Sequence, residues 1–266
     1  MKTGVCPGCL TSKSLVSSHL IPRAVYEYVR ADELHPIVVG GGTVRATSDQ
    51  LQAELLCAEC EQILNAGGER WIVGKLCTFD RQFPLYDLLR REPPIIRDPD
   101  GDVFDAGKNP EVDVHSLCHF ALSIFWKASV YHWGFGEISL GPYSEAIREW
   151  IRGARAFPPN LALNVTVSRP STAQILINPP YETAAPRYHA YLLHVPGILF
   201  RLSVGKQIPL EEKILCLCSG TGRLIMVSDT ATQKIHHLNL QKFKESTKTK
   251  SYEKASAKVK KMLGAR

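Results

Sequence analysis

The residues of this sequence with the clearest chemistry are two C-x-x-C pairs. Cys6 and Cys9 form the first pair, and Cys57 and Cys60 form the second. Four thiolates are the ligand set of a closed tetrahedral zinc site. A single pair could equally be a redox motif, whereas two pairs in one short region favour a shared structural zinc. The competing interpretation is four ordinary buried cysteines, which leaves the spacing of both pairs unexplained.

Two further interpretations concern cysteine redox state. Redox chemistry at Cys6 and Cys9 would leave the spacing of the second pair unexplained. In addition, no thioredoxin-like βαβ order surrounds the first pair. The remaining cysteines lie in apolar contexts, where reduced core thiols are expected; they are Cys77, Cys118, Cys216 and Cys218. This cysteine usage predicts a reducing compartment.

The elements predicted between the two cysteine pairs must bring the pairs together in the fold. The sequence Cys6-Pro7-Gly8-Cys9 favours a tight turn, and the apolar stretch 15–22 carries His19 just before a helix that begins near Pro22. Residues 36–47 predict a hairpin whose tip is Gly40-Gly41-Gly42. These glycines are not a phosphate-binding loop, because no G-K-[ST] follows them.

The second pair belongs to a segment with helical periodicity. Residues 49–66 predict a helix, or a turn followed by a helix, that Gly67-Gly68 should end. Glu61 and Asn65 are four residues apart on such a helix and share a face. We therefore expect both side chains to point toward the same space as His19.

The order of these motifs resembles the zinc-containing HNH endonucleases. That family reads C-x-x-C, D-H-I-x-P and N-L-x-x-L-C-x-x-C-H on a ββα-metal, treble-clef-like core, and residues 4–72 read C-P-G-C, S-H-L-I-P and L-L-C-A-E-C-E. The sequence also resembles uncharacterised bacterial and phage proteins with S-H-x-I-P and L-L-C-x-x-C-E in these places.

The resemblance implies a role for each matching residue. Cys6, Cys9, Cys57 and Cys60 would bind a structural zinc, and His19 would be the general base that activates water. Glu61 and Asn65 fall where the family holds a catalytic divalent ion, here Mg²⁺ or Mn²⁺. Departures occur at Ser18, which replaces an Asp, at Gln52, which replaces an Asn, and at Glu61, which replaces a His. The alternative is therefore a non-catalytic zinc module that recognises nucleic acid or a protein.

The rest of the chain predicts an α+β architecture. We expect a short helix within 81–94, a polar boundary loop over 95–110, and helices over 112–130 and 144–155. His115 and His119 have metal-ligand spacing, but no carboxylate or Cys completes a metal-binding motif with them, so they predict an ordinary helix surface. Short strands of a mostly antiparallel sheet follow, at 161–168, 173–177, 189–195, 198–204, 214–218 and 224–227. The predicted units are 1–95 (zinc-bound HNH-like), 110–240 (α+β, a candidate protein-binding domain) and 241–266 (tail).

Composition and charge bound the class of protein. The 266 residues are 44% hydrophobic and 22% charged, as in a globular protein. Without a membrane-length apolar run or a signal-peptide pattern, we expect a cytoplasmic protein that does not associate with membranes. The net charge of +6 is concentrated in the tail, which is either a solvated extension or an arm for nucleic acid, more specifically DNA. The candidate phosphate-binding residues are Lys254, Lys258, Lys260 and Lys261.

Overall fold

The computed structural model describes residues 2–30, 35–40, 42–134, 138–218 and 223–264. The strands are β1 (Lys2–Val5), β2 (Ser12–His19), β3 (Ile37–Gly40), β4 (Thr43–Ala46), β5 (Gln52–Cys57), β6 (Ile96–Asp98), β7 (Gly101–Asp105), β8 (Leu161–Val167), β9 (Asn178–Thr183), β10 (His189–Val195), β11 (Ile198–Val204), β12 (Leu224–Val227) and β13 (Thr247–Lys248). The helices are α1 (Arg23–Tyr28), α2 (Ala58–Leu64), α3 (Arg70–Ile72), α4 (Pro84–Leu89), α5 (Val114–Val130), α6 (Tyr143–Ile151), α7 (Leu210–Ile214), α8 (Thr230–Glu245) and α9 (Lys250–Gly264).

The N-terminal unit is a three-stranded sheet followed by a helix. Its strand order is β1-β2-β5, with both pairs antiparallel, and α2 begins directly after β5. A bulge between Val16 and Ser17 lets consecutive residues of β5, Leu55 and Leu56, both be buried. The fold class predicted from the sequence, mixed α+β with a mostly antiparallel sheet and a cysteine cluster, is confirmed at this level of detail.

The region from residue 49, predicted as a helix or as a turn followed by a helix, forms strand β5 before α2 begins. The predicted helix end at Gly67-Gly68 is wrong, because a π-helical turn over Asn65–Glu69 carries α2 onward into α3. The reason is packing: a Cβ on Gly68 would lie 2.5 Å from the carbonyl oxygen of Ser116 and 2.6 Å from the amide nitrogen of Phe120. The two glycines allow this helix to approach the backbone of α5 closely.

Helix α5 is the central element of the molecule. Asp113 caps it by accepting a hydrogen bond of 2.9 Å from the amide of Ser116. The helix is buried on nearly all sides, because it contacts the 65–69 turn and α6 and also packs against the large sheet, where Phe120 and Phe200 lie 5.9 Å apart. His119 is therefore buried, which makes the predicted surface location wrong for this residue, although His115 is exposed.

A seven-stranded sheet forms the largest layer, in the order β6-β7-β12-β8-β11-β10-β9. Its pairs are antiparallel except for β12 and β8, which run parallel. The strands predicted near 161, 189, 198 and 224 are confirmed, but the predicted polar loop 95–110 contains β6 and β7. The strand predicted at 173–177 is wrong, since β9 begins at Asn178, and the strand predicted at 214–218 is wrong because α7 ends at Ile214.

Residues on both sides of the predicted boundary share one hydrophobic core, which extends from Cys6 to Val227. Cys118 on α5 and Cys218 form a disulfide, which corrects the expectation that both are reduced. The basic segment 241–264 is folded as the end of α8, β13 and α9. It returns to the N-terminal region, where β13 pairs with β4 in a β13-β4-β3 sheet. The described residues contain no helix that combines the length and apolar character needed to cross a membrane.

Candidate functional site

The first cysteine pair lies in the turn between β1 and β2. The amide of Cys6 donates to the carbonyl of Thr11 at 2.9 Å, and the amide of Leu10 donates to the carbonyl of Cys6 at 2.8 Å. Leu10 has a φ of 60°, a left-handed conformation that closes the turn. These bonds fix the turn that places the side chains of Cys6 and Cys9 next to those of the second pair.

The second pair lies where β5 becomes α2. Cys57 is the last residue of the strand, and Cys60 lies in the first turn of the helix. The Sγ atoms of Cys9 and Cys57 are 3.8 Å apart, and the Cys57 amide donates to the Sγ of Cys6 at 3.3 Å. Strand, turn and helix therefore bring together two pairs that are about fifty residues apart in sequence.

The four sulfur atoms fit a tetrahedral metal site. The Sγ atoms of Cys6, Cys9, Cys57 and Cys60 all lie within 4.8 Å of one another. Zn–S bonds of about 2.3 Å in a tetrahedron place the sulfur atoms roughly 3.8 Å apart. Four cysteines in this arrangement could bind a metal ion such as zinc.

The surroundings of the cluster favour a charged centre. Burial raises the pKa of the Cys57 and Cys60 thiols, whereas a hydrogen bond with Thr11 lowers the pKa of Cys9 to about 6. Thiolates at the two buried positions therefore require a compensating cation. Four thiolates around Zn²⁺ would still carry a formal charge of about −2. Arg152 donates to the Sγ of Cys60 at 3.3 Å, and Arg148 donates to the carbonyl of Gly8 at 2.8 Å. Arg148 of α6 and Arg152, directly after the end of α6, thus face the cluster.

Next to the cluster, Ser18 connects β2 to helix α2. Its hydroxyl donates to Oε2 of Glu61 at 2.7 Å and accepts from the amide of Leu56 at 3.3 Å. Ser18 is fully buried and Glu61 is partly buried. This bond fixes the Glu61 carboxylate against the strand that ends at His19.

His19 is the last residue of β2 and is partly buried. Burial lowers the pKa of its imidazole, and the positive charges of Lys127 and Arg23 lower it further. Burial also raises the pKa of Glu61, against the opposing effects of the Lys127 charge and the Ser18 hydrogen bond. At neutral pH the imidazole is therefore held neutral, the state in which it can accept a proton.

Sequence reasoning missed two residues of this site, Lys127 and Glu69. Lys127 of α5 is fully buried, and its Nζ donates to the carbonyl oxygen of His19 at 2.7 Å and to Oε1 of Glu69 at 3.3 Å. Their side chains are 1% and 14% exposed. The signal that could have found Lys127 is a single lysine in a helix that is otherwise without Asp, Glu, Lys or Arg, because a buried lysine requires a partner.

The other predicted site residues are exposed. Asn65 is exposed at the start of the π-helical turn, and Gln52, the strand partner of His19, is exposed on β5. Among the described residues, the cysteine cluster is the only group of three or more His, Cys, Asp or Glu with ligand atoms this close. The four tail lysines are exposed on α9, and they are Lys254, Lys258, Lys260 and Lys261.

Comparison with protein-family models, curated proteins and solved structures gave no match for this chain.

Proposed function

We propose that this protein is a metal-dependent endonuclease of the HNH type, which hydrolyses phosphodiester bonds of DNA. The observation that carries the proposal is the 2.7 Å hydrogen bond between Ser18 and Glu61. It supports a site in which an acidic residue of α2 lies beside the strand that delivers His19. A β2–β5–α2 order with four cysteines is the arrangement that a ββα-metal unit with a structural zinc would have.

In the proposed reaction the neutral His19 imidazole accepts a proton from the attacking water. A divalent ion, Mg²⁺ or Mn²⁺, would supply charge stabilisation at the scissile phosphate when bound. Glu61 and Asn65 are the proposed residues for holding that ion. A carboxylate oxygen suits these hard cations better than the histidine found in the resembling family.

Neighbouring residues fix the position and the protonation state of His19. Lys127 holds the carbonyl oxygen of His19 and so fixes the end of β2. Its positive charge, together with burial, keeps the imidazole neutral. The lysines of α9 would contact phosphates, which position the nucleic acid without specifying its sequence.

The test is plasmid cleavage in Mg²⁺ or Mn²⁺ by the native protein and by His19→Ala. Removal of a general base should lower the rate by a factor of about 10² to 10⁴. His189→Ala is a matched control, because this histidine is exposed on β10 and pairs with Glu182. Equal cleavage by native protein and His19→Ala, or no cleavage with either ion, would reject the proposal.

A second candidate is a non-catalytic zinc module that recognises nucleic acid or a protein partner through the α+β part of the chain. It is favoured by the lack of a second multi-ligand cluster among the described residues. Metal analysis separates the two candidates. One tightly held zinc per chain without Mn²⁺ binding favours the module, whereas Mn²⁺ binding that disappears in Glu61→Ala favours the enzyme.

A further inference from the structure

A cleft of about 450 Å³ lies between the end of α4, the β6–β7 hairpin and the ends of β8 and β12. Its volume is within the range of roughly 300–1,000 Å³ that is typical of small-molecule sites. It is distinct in its residues from the cysteine cluster and from His19. The charged side chains that line it are Arg90, Arg91, Arg97, Arg169, Glu92 and Asp102.

The charge of the cleft favours an anion. Of its four guanidinium groups, Arg169 pairs with Asp229 and Arg91 pairs with Glu111. The positive charge available to a ligand is therefore that of Arg90 and Arg97. Asp102 is already engaged, since one of its oxygens lies 3.8 Å from Arg169. A cation would be repelled by these two guanidinium groups, and an apolar ligand would displace water from them without replacing its hydrogen bonds.

Two of the arginines are held in place by the protein. Arg169 donates to Oδ2 of Asp229 at 3.0 Å, while its backbone amide donates to the other oxygen at 2.9 Å. Arg90 lies over the ring of Tyr86 with its Cζ 5.6 Å from the centroid. A guanidinium group fixed in this way loses little freedom when it binds a ligand.

Two guanidinium groups have no carboxylate partner within the described ranges. Neither Arg90 nor Arg97 forms an ion pair there, whereas Arg91 pairs with Glu111. Arg97 lies on β6 directly opposite Asp102 of β7. The planar fork of arginine matches the paired oxygens of a phosphate group, which can accept two parallel hydrogen bonds.

We propose that this cleft binds the phosphate of a nucleotide, either free or within a nucleic-acid strand. A base could stack on the flat surface that Arg90 and Tyr86 provide. The volume exceeds what an inorganic phosphate needs, and arginine forks beside an aromatic ring suit a nucleotide better than an acidic peptide. The proposal does not depend on cleavage by His19, because a binding site and a hydrolytic site use different residues here.

The test measures binding by the full chain without added divalent ions, so that cleavage does not enter. Anisotropy of a fluorescein-labelled single-stranded oligonucleotide and calorimetry with ADP are compared for the native protein, Arg90→Ala and Arg97→Ala. Each variant should weaken binding about tenfold, the loss expected for one charge-assisted contact. Arg97→Lys, which keeps the charge but not the fork, should fall between the native protein and Arg97→Ala.

Arg187→Ala is the matched control, because Arg187 is exposed in the turn between β9 and β10 and its loss changes the net charge equally. Weaker binding of ADP and oligonucleotide in the cleft variants supports a free-nucleotide site. Weaker binding of the oligonucleotide alone supports a strand-binding site. Native affinity in both cleft variants, a loss equal to that of Arg187→Ala, or stronger binding of poly-glutamate than of either probe overturns the proposal.

Discussion

The Nζ of Lys127 lies 2.7 Å from the carbonyl oxygen of His19, although 108 residues separate them in the sequence. The same ammonium group lies 3.3 Å from Glu69, so the end of β2, the π-helical turn and α5 meet at one buried positive charge. This contact joins the N-terminal unit to the rest of the molecule at the candidate site.

Replacing Lys127 by Met should destabilise the protein strongly. The change leaves Glu69 with a poorly solvated charge and the His19 carbonyl without its donor, and breaking a buried pair typically costs about 3–5 kcal/mol. Urea unfolding measures the loss. The double variant Lys127→Met/Glu69→Gln should recover most of it, because no charge is then left unpaired. Equal instability of the two variants would mean that the ion pair is not the cause.

We expect the four-cysteine cluster to hold a structural metal ion whose removal unfolds the N-terminal unit. Apparent binding free energies for structural zinc in small domains are about 10–16 kcal/mol, and this energy is coupled to folding. Cys57→Ser should lose the bound ion as measured by elemental analysis of the purified protein. Cys77→Ala is the control, because Cys77 is a buried free cysteine outside the cluster. Loss of metal in both variants, or in neither, would contradict the assignment.

The pKa shift of His19 predicts how the proposed cleavage should depend on pH. Because burial lowers the pKa of His19, the imidazole remains neutral below its usual value of about 6.5. The acidic limb of the cleavage profile should therefore lie below pH 6.5. The groups that act on this imidazole are Lys127 and Arg23, which lower its pKa, and Gln50 and Glu69, which oppose them. A limb centred at or above pH 6.5 would contradict this environment.

Glu61 should reduce stability at neutral pH. Its pKa is raised by burial, so the folded state retains its proton more strongly than the unfolded state does. As the pH rises from the pKa of Glu61 in the unfolded state through its raised pKa in the folded state, the free energy of unfolding falls. Glu61→Gln removes the charge while its amide oxygen can still accept from Ser18, and it should raise the midpoint of urea unfolding at pH 7. The same variant should lose Mn²⁺ binding. A lower midpoint at pH 7 would show that the carboxylate stabilises the fold.

Gly68→Ala tests the close packing of the 65–69 turn on α5. The added Cβ would contact backbone atoms of Ser116 and Phe120, which cannot rotate away as a side chain could. Overpacking of this kind typically costs about 1–3 kcal/mol. Gly74→Ala is the matched control, since a Cβ there has no other atom within 4 Å. Thermal unfolding should separate the two variants, and equal melting temperatures would refute the packing argument.

The sequence by itself determined the parts of this protein that depend on neighbouring residues. The spacing of Cys6, Cys9, Cys57 and Cys60 predicted a shared cluster, because two cysteines separated by two residues can bind one ion. Alternating apolar residues predicted strands such as 198–204, and the apolar run after residue 112 predicted α5. These signals are local, since they follow from the period of a strand or a helix.

The tertiary structure decided what depends on contacts between distant residues. Gly67-Gly68 read as a helix end, but the need to approach α5 closely makes a continuous turn more stable there. Lys127 falls in the helix predicted over 112–130, and only the folded chain shows that its ammonium group binds the carbonyl oxygen of His19 and the carboxylate of Glu69. Likewise, the disulfide between Cys118 and Cys218 joins residues 100 positions apart. No local period encodes such pairs, because burial and charge compensation are properties of the assembled core.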